Sequence, residues 1–135
     1  MSLFKVFNVS GSAVSAQSQR LNVVASNLAN AESVAGPDGQ PYKARQVVFQ
    51  TQMMDAEQTA AGVRVASVVE DNATPRRLHD PDHPLADADG YVTMTNVNAV
   101  EEMVNMISAS RSYQTNIDVM NTAKGLLLKT LQLGS

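Results

Sequence analysis

At 135 residues the chain is long enough for one domain with a modest core, and with no cysteine it forms neither disulfides nor thiolate metal sites. Aromatics make up 4% of it and Trp is absent, so Met, Ala, Val and Leu carry the apolar content, a mixture suited to helix-on-helix packing. The net charge of −3 is unevenly placed: the bases and acids of 1–33 and 97–135 nearly cancel, and the excess acid lies in 34–96, which excludes a nucleic-acid groove there.

The apolar start is broken at Ser10-Gly11-Ser12 and no stretch approaches the ~18 apolar residues of a membrane span. The expectation is a chain without a cleaved leader. If it leaves the cytosol, it uses a route that needs none, and a cysteine-free composition suits passage through an oxidising space.

Residues 3–31 read as a helix. Leu3, Phe7, Val14, Leu21, Val24 and Leu28 recur at a 3–4 spacing, with Ser10 and Gln17 filling the remaining seam positions. The other faces carry Asn, Ser and Gln where a solvated helix would carry Glu, Lys and Arg. Uncharged polar groups are buried far more cheaply than ions, provided each finds a hydrogen bond.

The segment 34–96 is of another kind. Gly36-Pro37-Asp38-Gly39 is a turn cluster. Tyr42 to Gln52 reads as a strand, and Gly62 to Glu70 as a second that opens on a Val63/Val65 alternation, with 53–61 joining them as a loop. Thr74 to Ala88 holds three prolines and reads as irregular; Tyr91 to Thr95 suits a short third strand.

Residues 98–133 form the second helix. Asn98 stands three residues before Glu101 as a cap, and Gly134 is a plausible stop. Its seam runs through Met103, Met106, Tyr113, Ile117, Met120, Leu127 and Leu131, widened by Val100, Val104, Ile107 and Leu128. At ~1.5 Å per residue the two arms span roughly 40 and 50 Å. The organisation expected is therefore α+β: helical arms at 1–33 and 97–135, packing as a coiled-coil-like antiparallel or steeply crossed pair, around a small β-rich insert at 34–96.

Little in the chain points to chemistry. His79, His83, Asp80, Asp82, Asp87 and Asp89 resemble a ligand list, but Pro81 disfavours the helix that would put the two histidines on one face. Asp87-Ala88-Asp89-Gly90 lacks the glutamate that closes a calcium loop. A solvated, turn-rich loop is the better reading. There is no nucleophile elbow and no phosphate-cradling glycine loop. No catalytic residue, metal, cofactor, small-molecule substrate or nucleic acid is expected.

Two stretches carry a resemblance. Ala25-Ser26-Asn27-Leu28-Ala29-Asn30-Ala31 is similar to a signature of the bacterial flagellar rod and hook family. The run from Asp89-Gly90-Tyr91-Val92 through Asn96-Val97-Asn98, Glu102 to Ile107 and Ala109 to Asn116, closing with Lys124-Gly125 to Gly134, resembles the short proximal-rod members of that family. Gly39-Gln40-Pro41-Tyr42 and His83-Pro84 match as well. Met94-Thr95 departs from the aromatic-Pro pair usual before the Asn-Val. The resemblance implies a structural subunit of the basal-body rod, part of a drive shaft around an export channel, exported to the rod across the periplasm. Implied partners are copies of itself, sister rod proteins and the flagellar export apparatus. The expected assembly interface is then Leu3, Phe7, Val14, Leu21, Val24, Leu28, Met103, Ile107, Tyr113, Ile117, Met120, Leu127 and Leu131, with Ala25, Asn27, Ala29 and Asn30, the alanines letting helices approach closely and the asparagines bonding across the contact. A subunit of another needle-like or export-apparatus assembly is the alternative.

Overall fold

A computed structural model describes residues 2–56 and 60–134. Helix α1 (Leu3–Ala29) and helix α2 (Ala99–Leu133) enclose four strands, β1 (Arg45–Met53), β2 (Ala61–Glu70), β3 (Arg77–His79) and β4 (Tyr91–Thr93). The architecture is α+β, with two antiparallel two-stranded sheets, β1-β2 and β3-β4.

Both helices begin where a side chain satisfies an orphan N–H. Ser2 Oγ accepts from Lys5 N at 3.2 Å, and Asn98 Oδ1 accepts from Glu101 N at 3.2 Å, as the sequence leads one to expect for the second. Helix α1 ends at Asn30, whose N–H reaches back to the last carbonyls, and the Arg76 guanidinium donates to Ala31 O at 3.1 Å, putting a cation at the negative end of the helix. Gly134 caps α2 in a right-handed conformation (φ −88°), so the position does not exploit glycine's left-handed freedom.

The helices pack side by side and antiparallel. Asn27 meets Glu102, Met120 lies over Gly11, and Phe4 and Phe7 share a groove with Leu127. On α2 the buried positions are Glu102, Ala109 and Ala123, separated by seven and fourteen residues and so on one face. The line of closest approach is thus made of small side chains, with Met106, Tyr113, Ile117, Met120 and Leu127 half-buried along its flank. On α1 the buried residues are Ser10, Ala16, Val24 and Asn27. On α1 the apolar periodicity includes the buried Ser10 and Val24; on α2 it finds the flank and misses the buried alanines, because alanine carries too little hydrophobic signal to mark a seam.

The β1-β2 hairpin lies along another face of α1. Ser12 Oγ accepts from Val63 N at 3.1 Å, and Lys5 pairs with Asp55 at 2.8 Å near the hairpin end. Gly62 is needed here: a β-carbon would stand 2.6 Å from Ser12 Oγ and 2.8 Å from Met54 Cε. Val63 and Val65 are half-buried between exposed Arg64 and Ala66, so the alternation holds where the ribbon touches the helix. The register slips between Val48 and Phe49, leaving Ala66 as the extra residue of a bulge. Strand β1 starts at Arg45, three residues later than expected. Of the expected 53–61 loop, Met53 and Ala61 are strand residues, Met54 N donates to Ala60 O at 2.9 Å, and 57–59 lie outside the described residues.

Strand β3 sits in the segment read as irregular. It pairs Arg77 with Thr93, Leu78 with Val92 and His79 with Tyr91. Nothing local predicts a three-residue strand between prolines; its partner specifies it. Gly90 (φ +84°) makes the turn into β4. The small core lies where the end of α1, the approach to β1 and the approach to α2 meet: Ala31, Ala44 and Val97, with Tyr42 and Ala99 against them.

Candidate assembly surface

Asn27 is the polar centre of the subunit. Its Nδ2 donates to Arg45 O at 2.8 Å and to Glu102 Oε2 at 3.1 Å; its Oδ1 accepts from Tyr42 Oη at 2.8 Å and from Arg45 N at 2.9 Å. Every hydrogen-bonding site of the amide is used, joining α1, β1 and α2 at a fully buried point. The bond to Asn27 holds Glu102, itself buried, beside an open groove of about 300 Å³ lined also by Arg20, Arg45 and Glu101. Both asparagines named from the sequence bond within the chain, Asn27 across the α1–α2 contact and Asn30 through Nδ2 to Ser26 O at 2.9 Å. Asn96 is a second clamp that the sequence did not reveal. Its Oδ1 accepts from Ala44 N at 2.7 Å, and its Nδ2 donates to Asp71 O and Ala73 O at 2.8 and 3.1 Å. The quoted Asn96-Val97-Asn98 was the available signal for it.

The other expected interface residues divide. Val24 is buried, and Leu3, Phe7, Val14, Leu21, Leu28, Tyr113, Ile117, Met120 and Leu127 are half-buried in the subunit, whereas Ala25, Ala29, Met103, Ile107 and Leu131 are open. What remains exposed on α1 is Phe4, Asn8, Ser15, Gln19, Asn22, Ala25 and Ala29, and none of these is ionisable. The helix's cations are elsewhere: Lys5 on Asp55 and Arg20 against Gln17. The far ends of α2 expose Val100, Met103, Val104 and Ile107 at one end and Leu126, Leu128, Leu131 and Leu133 at the other. The accessible surface is 8740 Å², against about 6,800 Å² expected for a compact 14.4 kDa monomer.

The His79–Asp89 loop is held by its own backbone. Asp87 Oδ1 accepts from Asp89 N and Tyr91 N, both at 2.9 Å, and Oδ2 pairs with Arg77 at 2.6 Å. The Tyr91 N–H, then that of Asp89 and the Arg77 charge, hold the Asp87 carboxyl below the ordinary aspartate range. Arg77 also lies over the Tyr91 ring, and His79 meets that ring edge-on. Among the described residues no three His, Asp or Glu side chains converge on one point.

Two long antiparallel helical arms, the first with an uncharged outer face, are clamped to a small β insert, a form that suits a subunit covered by other protein chains. Residues 7–37 match the family described as flagella basal body rod protein, and residues 88–133 match flagellar basal body rod FlgEFG protein C-terminal. The chain is similar to the flagellar basal-body rod protein FlgC of Yersinia enterocolitica, 61% identical over 99% of both chains. Its counterparts in Salmonella typhimurium and in Buchnera aphidicola subsp. Schizaphis graminum are 60% and 48% identical, also over 99% of each chain. The chain belongs to the FlgC family of flagellar basal-body rod proteins and is a structural subunit of that rod.

Proposed function

We propose that the chain builds the proximal part of the rod, a drive shaft that transmits torque and encloses the export channel, and that it does so without catalysing any reaction. In this reading the arms at 1–33 and 97–135 form the rod core, and the insert at 34–96, packed on α1, faces outward or toward axial neighbours. The partners are copies of the chain and its sister rod proteins. The export apparatus delivers it, uncleaved, to a rod that crosses the periplasm.

The observation that carries the proposal is the bare outer face of α1. Seven exposed residues without a charge, Phe4 to Ala29, suit a surface whose other side is protein. Because Ala25 and Ala29 are open in the subunit, a carboxylate at either leaves the fold intact. In an assembled contact the same carboxylate is buried without a partner and costs roughly 3–5 kcal/mol. Ala25→Asp and Ala29→Asp are therefore expected to keep the thermal midpoint of the purified chain while stopping rod formation and swimming. Normal swimming with either variant sinks the proposal.

A further inference from the structure

We infer that the free edge of β1 receives an extended segment of an adjoining rod subunit by strand addition, an inference that rests on the assembly role proposed above. Ala44 O accepts from Asp71 N at 2.7 Å, and Met54 N donates to Ala60 O at 2.9 Å. Alternation along the ladder between these points turns the N–H and C=O of Gln46, Val48, Gln50 and Gln52 toward β2. Those of Arg45, Val47, Phe49 and Thr51 then face the opposite edge. At Arg45 the Asn27 carboxamide stands in for a neighbouring strand, accepting from the N–H and donating to the C=O. Two residues on, roughly 7 Å along the edge, no side chain takes that part. Val47 borders the open groove of about 300 Å³ between α1, β1 and the start of α2. Among the described residues nothing bonds the outward groups of Val47, Phe49 or Thr51.

A row of unpaired donors and acceptors at strand spacing is satisfied in register by another extended backbone. Net charge does not select the occupant, because Glu101 and Glu102 on one wall of the groove are balanced by Arg20 and Arg45 on the others. The sequence leaves this edge unguarded: residues 46–53 hold no charged residue, proline or glycine. Strand β2 is the guarded one, with Arg64 and Glu70, a bulge at Ala66, and Ser12 Oγ on the Val63 N–H. The β1 edges of two copies would pair about a two-fold axis and close into a dimer that cannot extend along a rod, so the incoming strand is a different segment.

Amide exchange on the purified chain and on isolated rods reads this alternation directly. In the purified chain the amides of Val47, Phe49 and Thr51 are expected to exchange at least several-fold faster than those of Val48, Gln50 and Gln52, and in rods to become as slow. Thr51→Pro removes an outward N–H and leaves the pairing with β2 intact. It is expected to keep the thermal midpoint of the purified chain and to lower its incorporation into rods several-fold. The chain has no native cysteine, so Thr51→Cys copies oxidised in isolated basal bodies are expected to give no dimer of this chain. Outward amides that stay fast in rods, Thr51→Pro chains that enter rods as freely as the native chain, or a Thr51→Cys dimer overturn the inference. In each of these cases the native chain's presence in the rods leaves its role as a rod subunit standing; its absence from them removes that role instead.

Discussion

Asn27 shows how one uncharged side chain does what an ion pair would do at greater risk. An amide offers two donors and two acceptor positions, and here each meets a group that folding has removed from water: the N–H and C=O of Arg45, the Tyr42 hydroxyl and the Glu102 carboxylate. Removing it strands all four partners, and each stranded buried group costs about 1–3 kcal/mol. Asn27→Ala is expected to destabilise the chain by roughly 2–4 kcal/mol in urea unfolding, with some partners recovering water. Asn27→Asp is expected to be at least as damaging at neutral pH, since it faces a carboxylate with a carboxylate, and to recover partly in acid. Glu102→Gln keeps an acceptor for Asn27 Nδ2 and is expected to change stability by less than ~1 kcal/mol. Equal losses for Asn27→Ala and Glu102→Gln would show that the amide is not the centre of the network.

Asp87 plays a local version of the same part, and its charge makes it sensitive to pH. Its carboxylate is favoured in the folded loop by the Tyr91 N–H first, then by the Asp89 N–H and Arg77. The folded value is lowered, so this contribution is present at neutral pH and disappears as the pH falls through that value. The amide resonances of Asp89 and Tyr91 are expected to titrate together in acid, below the ordinary aspartate range. Asp87→Asn should abolish that shared transition, and its survival would assign it to another group.

Among the elements, the helices are legible in the sequence because their signals are local and repeated many times: apolar spacing sustained over 27 and 35 residues, and an Asn cap on α2. Three features are not legible, for one physical reason. Strand β3, the docking of the hairpin on α1 and the inward role of Asn27 are all set by partners far along the chain. The polar face of α1 is a case in point. Part of it, Ser12, Ser26 and Asn27, is uncharged because the chain's own insert covers it, and only the stripe from Phe4 to Ala29 is left for neighbours. The close approach at Gly62 gives this a test. Gly62→Val drives a branched side chain into Ser12, whose short side chain has little freedom to yield, at a cost of about 1–3 kcal/mol. Hydrogen exchange is expected to lose protection at the Val63 amide while the α1–α2 pair keeps its own. Undiminished protection at Val63 would mean that the hairpin does not depend on this contact.

For the whole molecule, the decisive quantity is how little of its apolar surface it hides. Its core is mostly alanine, valine and a few polar side chains, while its larger leucines, valines and methionines stand outside. A core of small residues gives close backbone approach but little transfer free energy, because burial scales with apolar area at about 25 cal/mol per Å². The subunit alone is then folded but thin, and stability falls off along α2 with distance from its partners. Ala109 and Ala123 are buried along the α1 contact, whereas Leu128, Leu131 and Leu133 are exposed. Amides of 128–134 are accordingly expected to exchange fastest among the helical residues of the purified chain, and those near Ala109 and Ala123 slowest. In isolated rods the same terminal amides are expected to become as slow as the centre, since the neighbours supply the missing face. If the purified chain already protected 128–134 as strongly as 109–123, those exposed leucines would not be waiting for another subunit, and the surface excess would need a different explanation.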